Sequence, residues 1–579
     1  MTVMPDLIRH LMGYKVKLSK MLFLSLLLSL VAGSINAQQR EEVFGETYTM
    51  FNINNIATYI YNDGRADIRP DTASAGFEFP KYGNKYCFKR SGLFWIGKYG
   101  SDEVRMGGTA FTTSLSPGEI FENGSIQTSD DSLKHIFRVR NYESIEELTD
   151  EANDLGLSPI ELDHLYMRDK QDWPIEKGAP FQDINGDGVY SPEIDIPGMK
   201  GSEQSIWFIA NDFYDEEVLR FYGSRPTNFE VQVTIWNEKG EGYLDNVVFK
   251  RYLLINRHDK NYTDCFIGIF SDPDIGNAAD DFVGCDTLLN SEFAYNADEF
   301  DTKYESQPPA VGFTFLQGPI KESDPTDVAQ FMNREVNGFK NQRMFSFFYF
   351  LNEDGGIYGD PDMDNYSTGT LYWYNIARGR INSSGEYHPI PEEFGGGRTR
   401  YVLSGDPISG LGFIDGLVKP AKERRMFMSA GPFDIAIGDT QEVIIAQIAA
   451  GGREGVGHLD AVAELKETAR KVLEDYGSVT STEKVDELPT EIKLYQNYPN
   501  PFNPKSKIKY IIPSGVDVTN VTLKVYDLLG SVISVLVDEH KPAGTYEVDF
   551  DGTNLSTGVY FYELKVGDYS QQRKMILLK

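Results

Sequence analysis

The stretch FQDINGDGVYSPEID, Phe181 to Asp195, places Asp183, Asn185 and Asp187 at alternate positions, follows them with Gly188, and ends on Glu193 and Asp195. Oxygen ligands at positions one, three and five of a loop converge on a hard cation such as Ca²⁺. The glycine permits the sharp turn, and a backbone carbonyl at position seven, here Val189, adds a further ligand. Position twelve is Ile194, so the bidentate glutamate of an EF-hand is missing, and Glu193 or Asp195 must substitute in a loop of altered shape. Without an ion the same residues make an Asx-Gly turn. A calcium site here would be structural, because extracellular sites commonly work at about 10⁻⁴ to 10⁻³ M and lock a loop.

A second acidic stretch, SDPDIGNAADDFVGCD, offers Asp272, Asp274, Asp280, Asp281 and Asp286. So many carboxylates in one loop repel one another unless water solvates them or a cation bridges them, and both readings stay open at this point. A third, NEDGGIYGDPDMDN, carries Asp360, Asp362 and Asp364 in a sparser pattern. Donor sets made only of oxygen favour calcium over zinc or copper.

Catalytic patterns are otherwise missing. There is no GxSxG elbow, HExxH helix, phosphate loop or dinucleotide GxGxxG between a strand and a helix. His135, His164, His258, His388 and His458 are scattered without metal-ligand spacing. A polysaccharide-acting hydrolase needs only two carboxylates across a cleft, and 87 acidic residues supply candidates everywhere. The reading therefore leans away from an enzyme and toward a binding or structural protein, with such a hydrolase as the alternative.

The elements that must position these loops are mostly strands. Short β-prone runs such as VQVTIW (Val231 to Trp236), VVFKRYLLI (Val247 to Ile255), FIGIF (Phe266 to Phe270) and EVIIAQIAA (Glu442 to Ala450) alternate with Asp, Asn, Gly and Pro turns. Helices are few. SPIELDHLYM has Ser158 as N-cap and Pro159 at its first position. A longer helix over about 455–476 puts Leu459, Val462, Leu465, Ala469, Val472 and Tyr476 on one stripe, as core packing requires. A subdomain break is placed near residue 200. After Tyr476 a polar, aperiodic segment reads as a linker over 479–493.

At 579 residues the chain has room for about two to four domains, and its 41% hydrophobic content can fill them. Formal charge is −32, which repels nucleic-acid phosphates and anionic lipid and argues against partners of either kind. Residues 1–37 read as a secretory signal: basic residues through Lys20, the apolar run MLFLSLLLSLVA, then GSINA. At about 12 residues that run is too short to span a bilayer. The passenger then covers 38–478. The three cysteines, Cys87, Cys265 and Cys285, permit at most one disulfide, with Cys265 and Cys285 the nearer pair in sequence.

Downstream of Pro504 the chain is a run of short strands, among them VTLKVYD, in which Val521, Leu523 and Val525 share one face and Thr522, Lys524 and Tyr526 the other. Together, LYQNYPNPFNPKSKIKYIIP, VTLKVYDLLGSVISVLV and GTYEVDFDGTNLSTGVYFYELKVGDYSQQRKMILLK resemble the type A C-terminal sorting domain of proteins exported by the type IX secretion system of the Bacteroidetes and Chlorobi lineage, over 494–579. The resemblance implies passage through the periplasm and recognition by the type IX machinery at the outer membrane. It also implies release of the passenger or its attachment to surface glycolipid at the cell surface. Segments such as GLFWIGK, IWFIANDFYD and YNADEFD resemble large type IX-secreted proteins of the same lineage, which implies boundaries but no activity.

The resulting expectation is a mainly β protein: a large β-sandwich-like passenger with few helices, then a small Ig-like β-sandwich. Its expected export is by type IX secretion, and its expected cofactor is structural calcium.

Overall fold

The computed structural model describes residues 47–100, 103–120, 134–214, 218, 222–238, 242–351, 356–360, 369–394, 396–482, 493–497, 499–512, 519–528, 530–541, 544–567 and 569–579. The expected signal over 1–37, most of the expected linker, and Asp362 and Asp364 lie outside the described residues. The chain is mainly β and divides into two compact units, Met1–Gly477 and Ser478–Lys579.

Eleven strands frame the first unit: β1 (Tyr86–Tyr99), β2 (Ser202–Asn211), β3 (Phe229–Glu238), β4 (Val247–Asn256), β5 (Tyr262–Pro273), β6 (Asp281–Asp286), β7 (Ser291–Asn296), β8 (Ala310–Gln317), β9 (Met344–Leu351), β10 (Arg424–Ile435) and β11 (Thr440–Ala450). One antiparallel sheet runs β6-β7-β8-β11-β4-β3-β2, with Ser116–Pro117 and Phe137–Arg140 also paired to β2. The other runs β9-β10-β5-β1, extended by Phe77–Glu78 and Glu103–Gly108. Strands from both sides of residue 200 share this second sheet, so the break placed there has no counterpart in it.

The sheets face each other across an aromatic core. The ring of Phe229 on β3 stacks on Trp95 of β1 at 6.2 Å and meets Tyr262 of β5 at 4.8 Å, while Phe88 packs on Phe313 at 5.4 Å. The period of two in β3 sends Phe229, Val231, Val233 and Ile235 into this layer and Trp236 to the opposite face. That opposite face is covered as well. Helix α3 (Leu459–Thr482), numbered with α1 (Pro159–Gln171) and α2 (Gly369–Ala377) and apart from the short helix Thr149–Asp154, lays Val462, Leu465, Ala469 and Val472 on Trp236, Phe249, Phe293 and Tyr295. Every residue of β4 is buried as a result, although antiparallel strands commonly alternate.

On the second sheet, Phe94 and Phe427 stack at 4.1 Å, and Trp373 of α2 closes over both. Gly268 makes that approach possible, since a Cβ there would overlap the Met428 carbonyl and the Phe94 ring. The three cysteines are buried free thiols.

The second unit is a sandwich of two antiparallel sheets. Lys493–Leu494, Lys505–Ile512 and Gly544–Asp551 form one, in that order. Val532–Lys541, Thr519–Tyr526, Gly558–Val566 and Tyr569–Leu577 form the other. Val521, Leu523 and Val525 are fully buried with Ile508, Tyr510, Tyr562, Leu564 and Met575.

Candidate functional site

The first acidic loop hangs from a short ribbon in which Phe181–Gln182 pairs with Ile196–Pro197. Asp183 accepts from the amides of Gly186 and Gly188, at 2.7 Å each, through its two oxygens. Both glycines have left-handed φ, 72° and 74°, which a residue with a Cβ adopts only with strain. Asn185 Oδ1 accepts from Asp187 N at 3.0 Å, and Asp187 Oδ1 accepts from Val189 N at 2.7 Å. Asp195, 1% exposed, ties the loop shut: its two oxygens accept from Ile184 N at 2.9 Å and Ser191 N at 2.6 Å. Glu193 and Val189 are exposed. Asp195, one residue after Ile194, thus closes the loop through backbone amides.

The second stretch is spread over three places, of which the Asp272 position lies close enough to Asp274 for the two carboxyls to repel. Asp272 faces Arg425, whose Nε stands 3.4 Å away and which also holds Asp360 at 2.6 Å and Glu423 at 2.5 Å. Burial pushes the Asp272 carboxyl up to about 6 even so. Asp286, at the far end of β6, caps the amides of Leu288 and Leu289 and pairs with Lys466 of α3 at 3.3 Å.

Asp274, Asp280 and Asp281 are the third group. Asp281 is wholly buried, and its Oδ2 accepts from Ile275 N at 3.1 Å. Asp280 Oδ2 accepts from the Asn277 side chain at 3.0 Å. The Oδ1 of each of these three is buried and has no hydrogen-bond partner in the protein. Burial, reinforced by the neighbouring carboxylates, pushes Asp274 up to about 7 and Asp281 well above the carboxylate range.

Two residues that spacing did not single out complete this neighbourhood. Asn296 is the cross-strand partner of Asp281 and is 1% exposed. Asp301 accepts from Lys303 N, Tyr304 N and Asn277 N at 2.6, 2.7 and 3.0 Å, pinning the surrounding turns. Both lie in YNADEFD; the β6–β7 register sets Asn296 opposite Asp281, and Asp301 reaches the group through the Asn277 amide. Among the described residues, no three His, Cys, Asp or Glu side chains are arranged to hold a metal ion as they stand.

In the C-terminal unit the Asn-Pro segment is built into the sandwich. Asn497, 2% exposed, donates from its backbone N–H to the Tyr562 hydroxyl at 2.7 Å and from Nδ2 to Pro499 O at 3.1 Å and Ser506 Oγ at 2.8 Å. Asn500 Oδ1 accepts from Ile576 N at 2.9 Å. Residues 496–578 match the family described as the secretion system C-terminal sorting domain. The C-terminal unit is a type IX sorting domain. Its presence assigns the chain to export by the type IX machinery and to a secreted or cell-surface location.

No curated protein matches the chain significantly. Among solved structures, a polysaccharide lyase overlaps 60% of this chain and 34% of its own length, at 8% identity and a TM-score of 0.17. Dimeric latent PorU from Porphyromonas gingivalis overlaps 65% of this chain and 31% of its own length, at 9% identity and a TM-score of 0.14. This chain thus spans about a third of either structure. Neither likeness bears on the passenger's fold or activity.

Proposed function

We propose that the passenger is delivered to the outer face of the outer membrane as a calcium-stabilised β-sandwich with a binding or structural role. The observation that supports the calcium reading is the Asp183–Asp195 loop. Its oxygen-bearing side chains sit at positions one, three and five on a backbone turned by two glycines, and the buried Asp195 carboxylate closes it. Ca²⁺ fits such a loop as a hard cation with flexible oxygen coordination.

Calorimetric titration of the purified chain with CaCl₂ should show binding that Asp183→Asn with Asp187→Asn weakens. For a site of about 0.1–1 mM affinity, about 10 mM Ca²⁺ stabilises the fold by about 1–3 kcal/mol, which a chelator reverses. Identical titrations for the parent and the doubly substituted chain would reject the site. Delivery has its own test: deletion of residues 494–579 should leave the passenger in the periplasm, and normal surface display without them would refute the route.

A further inference from the structure

We propose that Asp274, Asp280, Asp281 and the side-chain oxygen of Asn296 form a second, largely buried site for a hard divalent cation of the calcium class, separate from the Asp183–Asp195 loop. The site lies where β5 has ended and where β6 begins beside the end of β7. Asp281 and Asn296 are directly opposed in the antiparallel register, so their side chains leave the same face of the sheet. That face is the one turned to the opposing sheet, because Val283 and Ala294, two residues further in on each strand, belong to the inter-sheet core.

Asn296 is the independent witness. It carries no charge, it is 1% exposed, and its Oδ1 is buried without a donor. Its NH₂ donates to Asp298 O at 3.0 Å and Phe300 O at 3.4 Å, which turns the carbonyl oxygen of the planar amide away from that loop. Four side chains from two strands and a turn thus each present one buried oxygen that no protein donor satisfies.

Leaving such atoms unsatisfied is costly, and ionising three neighbouring carboxyls in a dry site more so. Lys89 and Arg425 favour the ionised Asp274 through space but donate to none of the four oxygens, and Arg425 is already engaged by Asp272, Asp360 and Glu423. A cation would satisfy the four oxygens at once, the carboxyls giving up their protons as it enters. The donor set is three carboxylates and an amide oxygen, which selects Ca²⁺ over thiophilic metals. Cys87 Sγ is engaged with the Tyr304 hydroxyl at 3.0 Å. Asp301 is a positioning residue here: its oxygens are occupied by backbone amides, and it holds the Asn277 turn that carries Asp280. Since the side chains are not yet arranged around one point, binding must turn the Asp274 and Asp280 carboxyls inward by rotation about χ1 and χ2.

The test uses the purified chain already carrying Asp183→Asn and Asp187→Asn, so that the first loop contributes nothing. CaCl₂ titration followed by calorimetry should still show one binding event, and Ca²⁺ should raise the melting temperature relative to EGTA. Adding Asp281→Asn should weaken that event by about tenfold or more. Asp280→Asn, in the more open part of the site, is the second variant should Asp281→Asn fail to fold. If the doubly substituted parent binds no Ca²⁺, or if neither further substitution changes its titration, the proposal is overturned. Because the first loop has been removed, either result is independent of whether that loop binds.

Discussion

Glu292 on β7 is wholly buried between the sheets. One carboxyl oxygen accepts from Ser271 Oγ at 2.8 Å, and the other has no partner in the protein. Burial pushes its pKa from 4.5 up to about 8. A carboxyl raised in the folded state holds a proton that the unfolded chain has released. Its stabilising contribution is therefore full below about pH 4.5 and is lost as pH rises toward about 8. At about 1.4 kcal/mol per pH unit, roughly 3 kcal/mol is lost by about pH 7 and roughly 4 by about pH 8. Glu292→Gln keeps the shape and cannot titrate. Urea unfolding of parent and variant at a series of pH values, taken as a difference, cancels every other titrating group. Near pH 4 the variant should be equal or somewhat weaker, since a second amide hydrogen is left without an acceptor. Near pH 8 it should be the more stable chain. A difference that does not change with pH, or one that falls as pH rises, would refute the reasoning.

Three further outcomes follow from buried contacts. Arg138, wholly buried, meets Glu151, 2% exposed, in an ion pair tied to Tyr166. Glu151→Gln should cost about 3–5 kcal/mol by stranding the guanidinium, while replacing both partners with apolar residues of similar volume should recover much of that loss in chemical denaturation. Gly268→Ala should abolish or severely weaken folding of the passenger, read by circular dichroism and yield, because the added methyl meets backbone as well as a ring. In the sorting domain, Asn497→Ala leaves Ser506 Oγ without its Nδ2 donor and Pro499 O with only the Ser506 hydroxyl, and should lower stability by about 1–3 kcal/mol; an unchanged unfolding midpoint would contradict this.

How much of this could be read beforehand depends on whether the relevant contacts are local. The six residues of the α3 stripe, at spacings of three and four, needed only helical periodicity, and the structure buries four of them and half-buries Leu459 and Tyr476. In the sorting domain, VTLKVYD shows the alternation of a sheet with one dry face, and Val521, Leu523 and Val525 are the buried set. In the passenger that signal fades. β4 reads VVFKRYLLIN and is buried throughout, with Lys250 facing the inter-sheet layer and Arg251 bound to Glu442 on the helix-covered side. Neither charge marks a solvent face there, so periodicity alone could not assign the faces.

The two acidic loops show the same division. Asp183, Asn185 and Asp187 lie within one turn, so their spacing by itself determined that they would share a loop and that glycines would shape it. The sorting domain was determined in the same way, because its motifs and short strands follow one another in order. Spacing also grouped Asp272 and Asp286 with Asp274, Asp280 and Asp281; only the tertiary structure set Asp286 apart and gave Asp272 its own partner in Arg425 while leaving it beside Asp274. β6 carries Asp286 a strand's length away to Lys466, while Arg425 from β10 claims Asp272. It is strand pairing that brings Asn296 opposite Asp281, and burial between two sheets that deprives their oxygens of water. Those two effects join residues far apart in the chain and depend on which face of a strand is dry, a property that a strand acquires only from what packs against it.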